Sequence, residues 1–167
     1  MSVPERTVSL VVNGRPYELR VPARLLLSDL LRDGLGLTGT HVGCEHGVCG
    51  ACNVVVDDEL VRSCLYLAAQ ADGRSLTTVE GVEDGDGLHT AQQAVFDANG
   101  LQCGFCTPGV VMTLYDLHRR NATLTEAELR EELAGNLCRC TGYEGILAAG
   151  RALLGVGEPS EPEGERT

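Results

Sequence analysis

Residues 40–52 read THVGCEHGVCGAC, and this short loop carries three of the chain's eight cysteines. Cys44, Cys49 and Cys52 follow the spacing C-x4-C-x2-C, and eleven residues separate Cys52 from Cys64. Three thiols can converge from so tight a loop only where its backbone takes unusual angles. The loop contains three glycines, which adopt such angles readily. We therefore predict that these four cysteines, the first cysteine set, surround one inorganic group.

The spacing of the first cysteine set is that of plant-type sites for a 2Fe–2S cluster. A compact turn also aims backbone N–H groups at the sulfurs, and these stabilise the electron gained on reduction. Zinc is the alternative, but zinc sites usually combine two short cysteine pairs. A Rieske-type site that used His46 would need two histidines in place of two cysteines. The pattern favours a 2Fe–2S cluster, with Cys64 supplied by a neighbouring strand.

Two further cysteine pairs occur in residues 101–109, LQCGFCTPG, and in residues 137–145, LCRCTGYEG. Each pair precedes a predicted helix, and the first helix would be capped by Thr107 with Pro108 at its first position. Helix N-termini carry a partial positive charge and free N–H groups, whereas a cluster held by four thiolates is negative. We predict that the two turns form one metal site. Its ligands, the second cysteine set, are Cys103, Cys106, Cys138 and Cys140.

The remaining pattern predicts an α+β chain whose N-terminal part is mostly β. Asn13-Gly14 is a strong hairpin signal between two alternating segments. Ser28 is predicted to cap a short helix that ends near Gly34. This β domain covers residues 1–80, with strands over 7–12, 17–21, 53–56, 61–67 and 75–79.

The C-terminal part is predicted to be helical. A glycine- and acid-rich linker occupies residues 81–87, and beyond it the apolar period changes from two to about 3.6. Residues 88–157 are predicted to form a small four-helix bundle. Residues 158–167 are predicted to be a disordered tail. The predicted helices cover 88–99, 107–121, 125–135 and 142–154.

Composition excludes several classes of protein. The 167 residues include 13 basic and 24 acidic side chains, and the net charge of −11 argues against nucleic-acid binding. No segment approaches the roughly 18 apolar residues of a membrane span. The N-terminus lacks the pattern of a secretory signal. We therefore expect a cytoplasmic chain whose thiols stay reduced and bind metal instead of forming disulfides.

Four segments carry a resemblance to a known family: GCEHGVCGAC, RSCLYLAAQADG, QCGFCTPG and NLCRCTGYEGI. They resemble the iron–sulfur subunit of the molybdenum hydroxylase (xanthine oxidase) family. They are most similar to the small chains of three-subunit bacterial dehydrogenases of the carbon monoxide dehydrogenase type. The xanthine and aldehyde branch usually has Gly-Glu-Gly-Gly between the first two ligands, where this chain has Glu45-His46-Gly47-Val48. This difference argues against a purine or simple aldehyde substrate.

The resemblance implies a β-grasp, plant-type ferredoxin domain followed by a helical 2Fe–2S domain. It also implies that Gln102 hydrogen-bonds the pterin of a molybdenum cofactor and that Cys140 approaches its edge. That cofactor, of the molybdopterin cytosine dinucleotide type, would be held by a large partner subunit, and FAD by a medium one. The assembly would be a dimer of heterotrimers, and this chain would have no catalytic residue of its own.

The implied function is electron transfer from molybdenum through two 2Fe–2S clusters to the flavin. The alternative is a self-standing ferredoxin-like carrier or an iron–sulfur sensor. A carrier would need only the first domain, so the second domain favours a docked subunit. A third hypothesis for the function is a zinc-binding interaction module.

Overall fold

The structure is a computed structural model that describes residues 3–83, 85 and 87–157. The predicted disordered tail at 158–167 lies outside the described residues, as do two positions of the predicted linker, 84 and 86. No helix within the described part of the chain is both long and apolar enough to cross a membrane.

The chain begins with an antiparallel hairpin, β1 (Glu5–Val12) and β2 (Arg15–Pro22). Its turn residues Asn13 and Gly14 have φ angles of 50° and 75°. Two successive left-handed residues match the twist of the flanking strands, so the hairpin predicted from Asn-Gly is confirmed. Alternate residues of β1 point into the core, and the buried ones are Val8, Leu10 and Val12.

The hairpin is part of a five-stranded mixed sheet in the order β2-β1-β5-β3-β4. The first and last strands along the chain, β1 and β5, run parallel, and the other pairs are antiparallel. The strands that complete the sheet are β3 (Asn53–Val56), β4 (Glu59–Arg62) and β5 (Ser75–Thr77).

The short helix after the hairpin begins earlier than predicted. It is α1 (Leu27–Asp29), which continues as a wide π-type turn through Leu30–Gly34. The prediction that Ser28 caps it is wrong, because Ser28 lies inside the first turn and is fully buried. The start is set by Leu27, whose N–H donates to Tyr66 O at 2.7 Å and whose side chain enters the core.

The C-terminal part contains helices at all four predicted places. The start of α3 and the end of α5 agree with the pattern, and the other helix ends lie one or two residues inside the predicted limits, a usual uncertainty at helix ends. Thr125 and Glu128 form the predicted capping box: the Thr125 hydroxyl accepts from Glu128 N, and the Glu128 carboxylate accepts from Thr125 N. The helices are α2 (Thr90–Asp97), α3 (Thr107–Arg119), α4 (Glu126–Ala134) and α5 (Glu144–Leu154).

Strand β3 packs the sheet directly against the helices. All four of its residues are buried, which fits a strand covered on both faces. Val54 and Val56 belong to the core under the sheet, whereas Val55 belongs to the core formed by the helices. Helix α3 approaches the first cysteine loop so closely that a Cβ on Gly109 would lie 2.1 Å from Gly50 O. The two cysteine sets are therefore held by elements in direct contact.

Candidate metal centres

The loop of the first cysteine set has no regular secondary structure and contains three left-handed residues. Glu45, Gly47 and Gly50 have φ angles of 57°, 81° and 72°. These angles turn the loop's amides inward, and Cys49 N donates to Cys44 Sγ at 3.4 Å. Backbone N–H groups, first that of Cys49, lower the pKa of the Cys44 thiol to about 6. The loop thus stabilises negative charge on sulfur, as its glycine content indicates.

Cys64 does not lie on a strand, as was predicted, but in the 3-10 turn Ser63–Leu65 that follows β4. Its position is fixed by Ser63, whose N–H and hydroxyl both donate to Cys52 O, at 3.2 and 2.8 Å. Burial, and then contact with the Cys52 thiol, raise the pKa of Cys64 to about 12. The strand ends early because Ser63 turns the chain back toward the loop, and this places Cys64 beside Cys52.

In the second cysteine set, Cys106 is itself the N-cap residue of α3. The prediction that Thr107 caps this helix is wrong by one residue, and Pro108 lies at the second helical position instead of the predicted first. Burial, and then contact with Cys138, raise the pKa of Cys106 to about 12. Burial opposes the ionisation of Cys138, but hydrogen bonds from Thr141 and the neighbouring backbone lower its pKa to about 7. Cys106 and Cys138 thus form an inner pair in which the negative charge falls on Cys138.

The other two thiols of this set form an outer pair at the surface. Cys103 and Cys140 are both exposed. Contact with the Cys103 thiol raises the pKa of Cys140. Gln102, next to Cys103, is exposed as well. The structure therefore places both residues with a predicted pterin contact, Gln102 and Cys140, on the outer side of the second set.

In each set the thiols interact most strongly in two pairs. These pairs are Cys44 with Cys49 and Cys52 with Cys64 in the first set, and all eight cysteines are free. Among the described residues, no three Cys, His, Asp or Glu side chains are grouped to hold a single metal ion. Two pairs of thiols fit a 2Fe–2S cluster, in which each iron takes two protein ligands. The pairs of the second set are Cys103 with Cys140 and Cys106 with Cys138.

A hydrogen bond connects the two sets. Leu137 N donates to Cys49 O at 2.9 Å, and Leu137 is the residue before Cys138. A cysteine of the first set and a cysteine of the second set are thus joined through one hydrogen bond and a short stretch of backbone. The sequence pattern contains no signal for this contact, because the two residues are far apart along the chain.

A buried polar network supports this connection. Thr113 Oγ1 accepts from Asn53 Nδ2 at 2.9 Å and donates to Asn136 Oδ1 at 2.9 Å. Asn136 Nδ2 in turn lies 3.5 Å from Gly50 O. Sequence reasoning missed these residues. A signal was available, since Asn53 and Thr113 are polar residues within otherwise apolar segments.

The aromatic residues near the sets have more specific contacts than packing alone. Phe105 stacks on His41 with ring centroids 5.0 Å apart, and its carbonyl lies 2.8 Å from His41 Nδ1. Tyr143 accepts a hydrogen bond from Cys138 N at 2.8 Å through its hydroxyl. His46 is exposed, and its Nδ1 lies within hydrogen-bond distance of the Cys44 carbonyl oxygen. Phe105 therefore connects the second cysteine set to the loop of the first, and the Tyr143 hydroxyl holds the backbone of Cys138 in place.

Two family models match the chain. A 2Fe–2S iron–sulfur cluster binding domain matches residues 10–78, and a [2Fe-2S] binding domain matches residues 78–151. Each model covers one of the two cysteine sets.

Similar proteins cover nearly the whole chain. It is 51% identical over 161 residues to caffeine dehydrogenase subunit gamma of Pseudomonas sp. (strain CBB1), with coverage of 93% of this chain and 95% of the relative. It is also 51% identical over 142 residues to the nicotine 6-hydroxylase small subunit of Paenarthrobacter nicotinovorans, covering 85% and 86%.

A solved structure, quinoline 2-oxidoreductase from Pseudomonas putida 86, matches with a TM-score of 0.82 and 43% identity. The match covers 89% of this chain and 96% of that chain. The aldehyde oxidoreductase from Desulfovibrio gigas matches with a TM-score of 0.83 and 41% identity, over 89% of this chain and 17% of that chain. With its two cysteine sets, its ferredoxin-type fold and these relatives, the chain belongs to the family of iron–sulfur small subunits of the molybdenum hydroxylases.

Proposed function

We propose that this chain transfers electrons from a molybdenum–pterin centre in a large partner subunit to an FAD in a medium partner subunit. A 2Fe–2S cluster, when bound, accepts and releases one electron at a time. Two observations carry the proposal. The cysteines of the two sets differ in solvent exposure, and a backbone hydrogen bond connects the two sets. The second set reaches the surface at Cys103 and Cys140, and the bond from Leu137 to Cys49 leads inward to the first.

The ligand assignments follow from the pairing of the thiols. Cys44, Cys49, Cys52 and Cys64 would hold one 2Fe–2S cluster, and Cys103, Cys106, Cys138 and Cys140 the other. Backbone N–H groups lower the pKa of the Cys44 thiol. Burial opposes the ionisation of Cys138, but the Thr141 hydroxyl and nearby backbone groups lower its pKa, and a lowered pKa favours the thiolate that binds iron. Two cluster-binding family models, one over each set, support the same assignment.

Gln102 and Cys140 are proposed to meet the pterin. A glutamine amide can donate to one ring atom and accept from another, and an exposed position beside a ligand lets it do both across an interface. Gln102 is exposed and precedes Cys103, whose thiol contacts that of Cys140. The cofactor would be of the molybdopterin cytosine dinucleotide type and would be held by the large subunit.

The division of the chain is proposed as a β-grasp domain over residues 1–80, a linker at 81–87 and a four-helix bundle over 88–157. The two family models meet at residue 78, close to that boundary. The relatives' names, "subunit gamma" and "small subunit", support assembly with further chains. We propose a dimer of heterotrimers in the cytoplasm, where reducing conditions keep thiols available for metal.

The experiment is purification of the affinity-tagged chain from its own cells, followed by metal, flavin and subunit analysis. We expect two further chains, molybdenum and FAD to elute with it in stoichiometric amounts, and the complex to be absent from a periplasmic extract. Elution of the chain alone, with iron and sulfide but without molybdenum or flavin, would reject the docked subunit in favour of a self-standing carrier or sensor.

A further inference from the structure

The hydroxyl of Thr141 lies 3.1 Å from Cys138 Sγ. The same oxygen accepts a hydrogen bond from Tyr143 N at 3.1 Å. A sulfur that binds iron is a thiolate and carries no hydrogen, so with a cluster bound only the Thr141 hydroxyl can donate in this contact. In that state Thr141 donates and Cys138 accepts.

The turn that carries Thr141 is held at both ends. Tyr143 has a φ angle of 70°, an unusual value for a residue with a side chain, and it is the N-cap residue of α5. Its hydroxyl accepts a hydrogen bond from Cys138 N at 2.8 Å, so the Cys138 amide hydrogen is already used in this bond. This closed turn fixes the Thr141 hydroxyl over the sulfur. The backbone groups of Thr141 and Cys140 also face the same sulfur.

In the first cysteine set, the hydroxyl next to a cysteine donates to a different kind of acceptor. Ser63 lies next to Cys64, but its hydroxyl donates to Cys52 O at 2.8 Å and not to a sulfur. Its bond fixes the backbone without changing the charge on a thiolate. Ser63 is therefore a natural comparison for Thr141.

A hydrogen bond to a thiolate strengthens as negative charge on the sulfur grows, and reduction adds such charge. We propose that Thr141 is a positioning residue that raises the reduction potential of the second site through its hydrogen bond to Cys138. This proposal rests on the proposed function, because it needs a 2Fe–2S cluster at the second set. A higher potential there favours entry of electrons at the exposed end of the chain.

The test is an EPR-monitored redox titration of the purified, cluster-loaded chain and of three variants. Thr141→Val removes the hydroxyl at nearly constant volume, Thr141→Ser retains it, and Thr123→Val, at an exposed threonine outside both sets, is the matched control. We expect Thr141→Val to lower the equilibrium constant for reduction of the second site about tenfold, which equals about 59 mV for a one-electron couple. Thr141→Ser should restore the value of the unmodified chain, and Thr123→Val should leave the second site unshifted.

An unshifted Thr141→Val, or an equal shift in Thr141→Ser, would overturn the role of Thr141. If Thr141→Val lost the iron of the second site while Thr141→Ser kept it, the hydroxyl would be needed to hold the cluster, and tuning would also be rejected. An unmodified chain without a second paramagnetic signal would instead overturn the iron–sulfur assignment on which the proposal rests.

Discussion

The thiols of both cysteine sets are arranged in two pairs, but the two sets are built from different structural elements. In the first set, three thiols come from one loop whose left-handed residues are local to it, and Cys52 and Cys64 are buried. In the second set, two turns distant in the chain meet only because α3 and α5 pack together. Its outer pair, Cys103 and Cys140, is exposed. A site built from one loop can be enclosed, whereas a site assembled between helices keeps an open side for a partner.

The two regions also differ in what they contribute to protein stability and to electron transfer. The first loop is pressed between the sheet and α3, so its surroundings tolerate little change in volume. The second set depends on hydrogen bonds made by side chains, such as those of Tyr143 and Thr141. Four kinds of substitution should therefore have decreasing effects: removal of one cysteine, overpacking of one close contact, removal of one buried hydrogen bond and removal of one surface amide.

Removal of a ligand from either set should have the largest effect. We expect Cys49→Ser to lose about half of the bound iron and nearly all reduction of the flavin, because the proposed route to the flavin passes through the first set. Cys106→Ser should lose the other half and block entry of electrons from molybdenum. The measurements are iron analysis and EPR of each variant, with flavin absorbance in the assembled complex. Loss of both signals in both variants would show that the sets do not form independently.

The close approach of α3 to the first loop should give the next largest effect. A Cβ on Gly109 would lie 2.1 Å from Gly50 O and 2.9 Å from Ala51 Cα, which are backbone atoms that cannot move aside cheaply. Overpacking of this kind typically costs about 1–3 kcal/mol and occasionally more. We expect Gly109→Ala to reach the upper end of that range in the free energy of unfolding and to weaken the magnetic coupling between the sites.

Thermal unfolding and the EPR line shape measure the two effects of Gly109→Ala. Gly157→Ala is the matched control, because no atom of the described residues lies within 4 Å of its Cβ position. An unfolding temperature of Gly109→Ala equal to that of Gly157→Ala would contradict the tight contact between the halves.

The buried polar network should have a smaller effect. Thr113→Val keeps the shape of the side chain but leaves Asn53 Nδ2 and Asn136 Oδ1 without their Thr113 partner. An unsatisfied buried polar group costs about 1–3 kcal/mol, and we expect a loss of this size in the free energy of unfolding. Denaturant unfolding measures it, with the exposed Thr123→Val as the control. A loss no larger than that of Thr123→Val would show that the network does not support the connection between the sets.

Gln102→Ala should have the smallest effect, confined to the exposed side of the second set. A hydrogen bond of this kind contributes about 0.5–1.5 kcal/mol, so transfer from molybdenum should slow by up to about tenfold. Stopped-flow bleaching of the iron–sulfur absorbance, driven first by substrate and then by a flavin-side donor, measures both directions. Gln93→Ala, on an exposed part of α2, is the control. Equal slowing from both sides, or none from the substrate side, would reject a local role for Gln102.

The sequence predicted the features that depend on neighbouring residues. The limits of β3 follow from its short apolar run, the hairpin from Asn13-Gly14, and the start of α4 from the Thr125 capping box. Membership of the two cysteine sets was predicted from spacing and glycine content.

The features that depend on distant contacts were not predicted. Cys64 sits in a 3-10 turn because Ser63 bonds Cys52 O, and no local pattern encodes that bond. The pairing of Cys106 with Cys138 requires two helices to be placed first. The bond from Leu137 to Cys49 and the left-handed Tyr143 are likewise products of tertiary packing. Local chemistry therefore predicts the two cysteine sets, whereas packing determines how their thiols pair and connect.

EPR with chemical analysis of the purified, reduced chain tests the central claim most directly, namely that two unlike cysteine sets each hold a 2Fe–2S cluster. We expect equal amounts of iron and inorganic sulfide and two distinct signals, each of which integrates to one spin per chain, because the two sets differ in burial and hydrogen bonding. Stoichiometric zinc without inorganic sulfide, or a single signal that integrates to one spin, would contradict it.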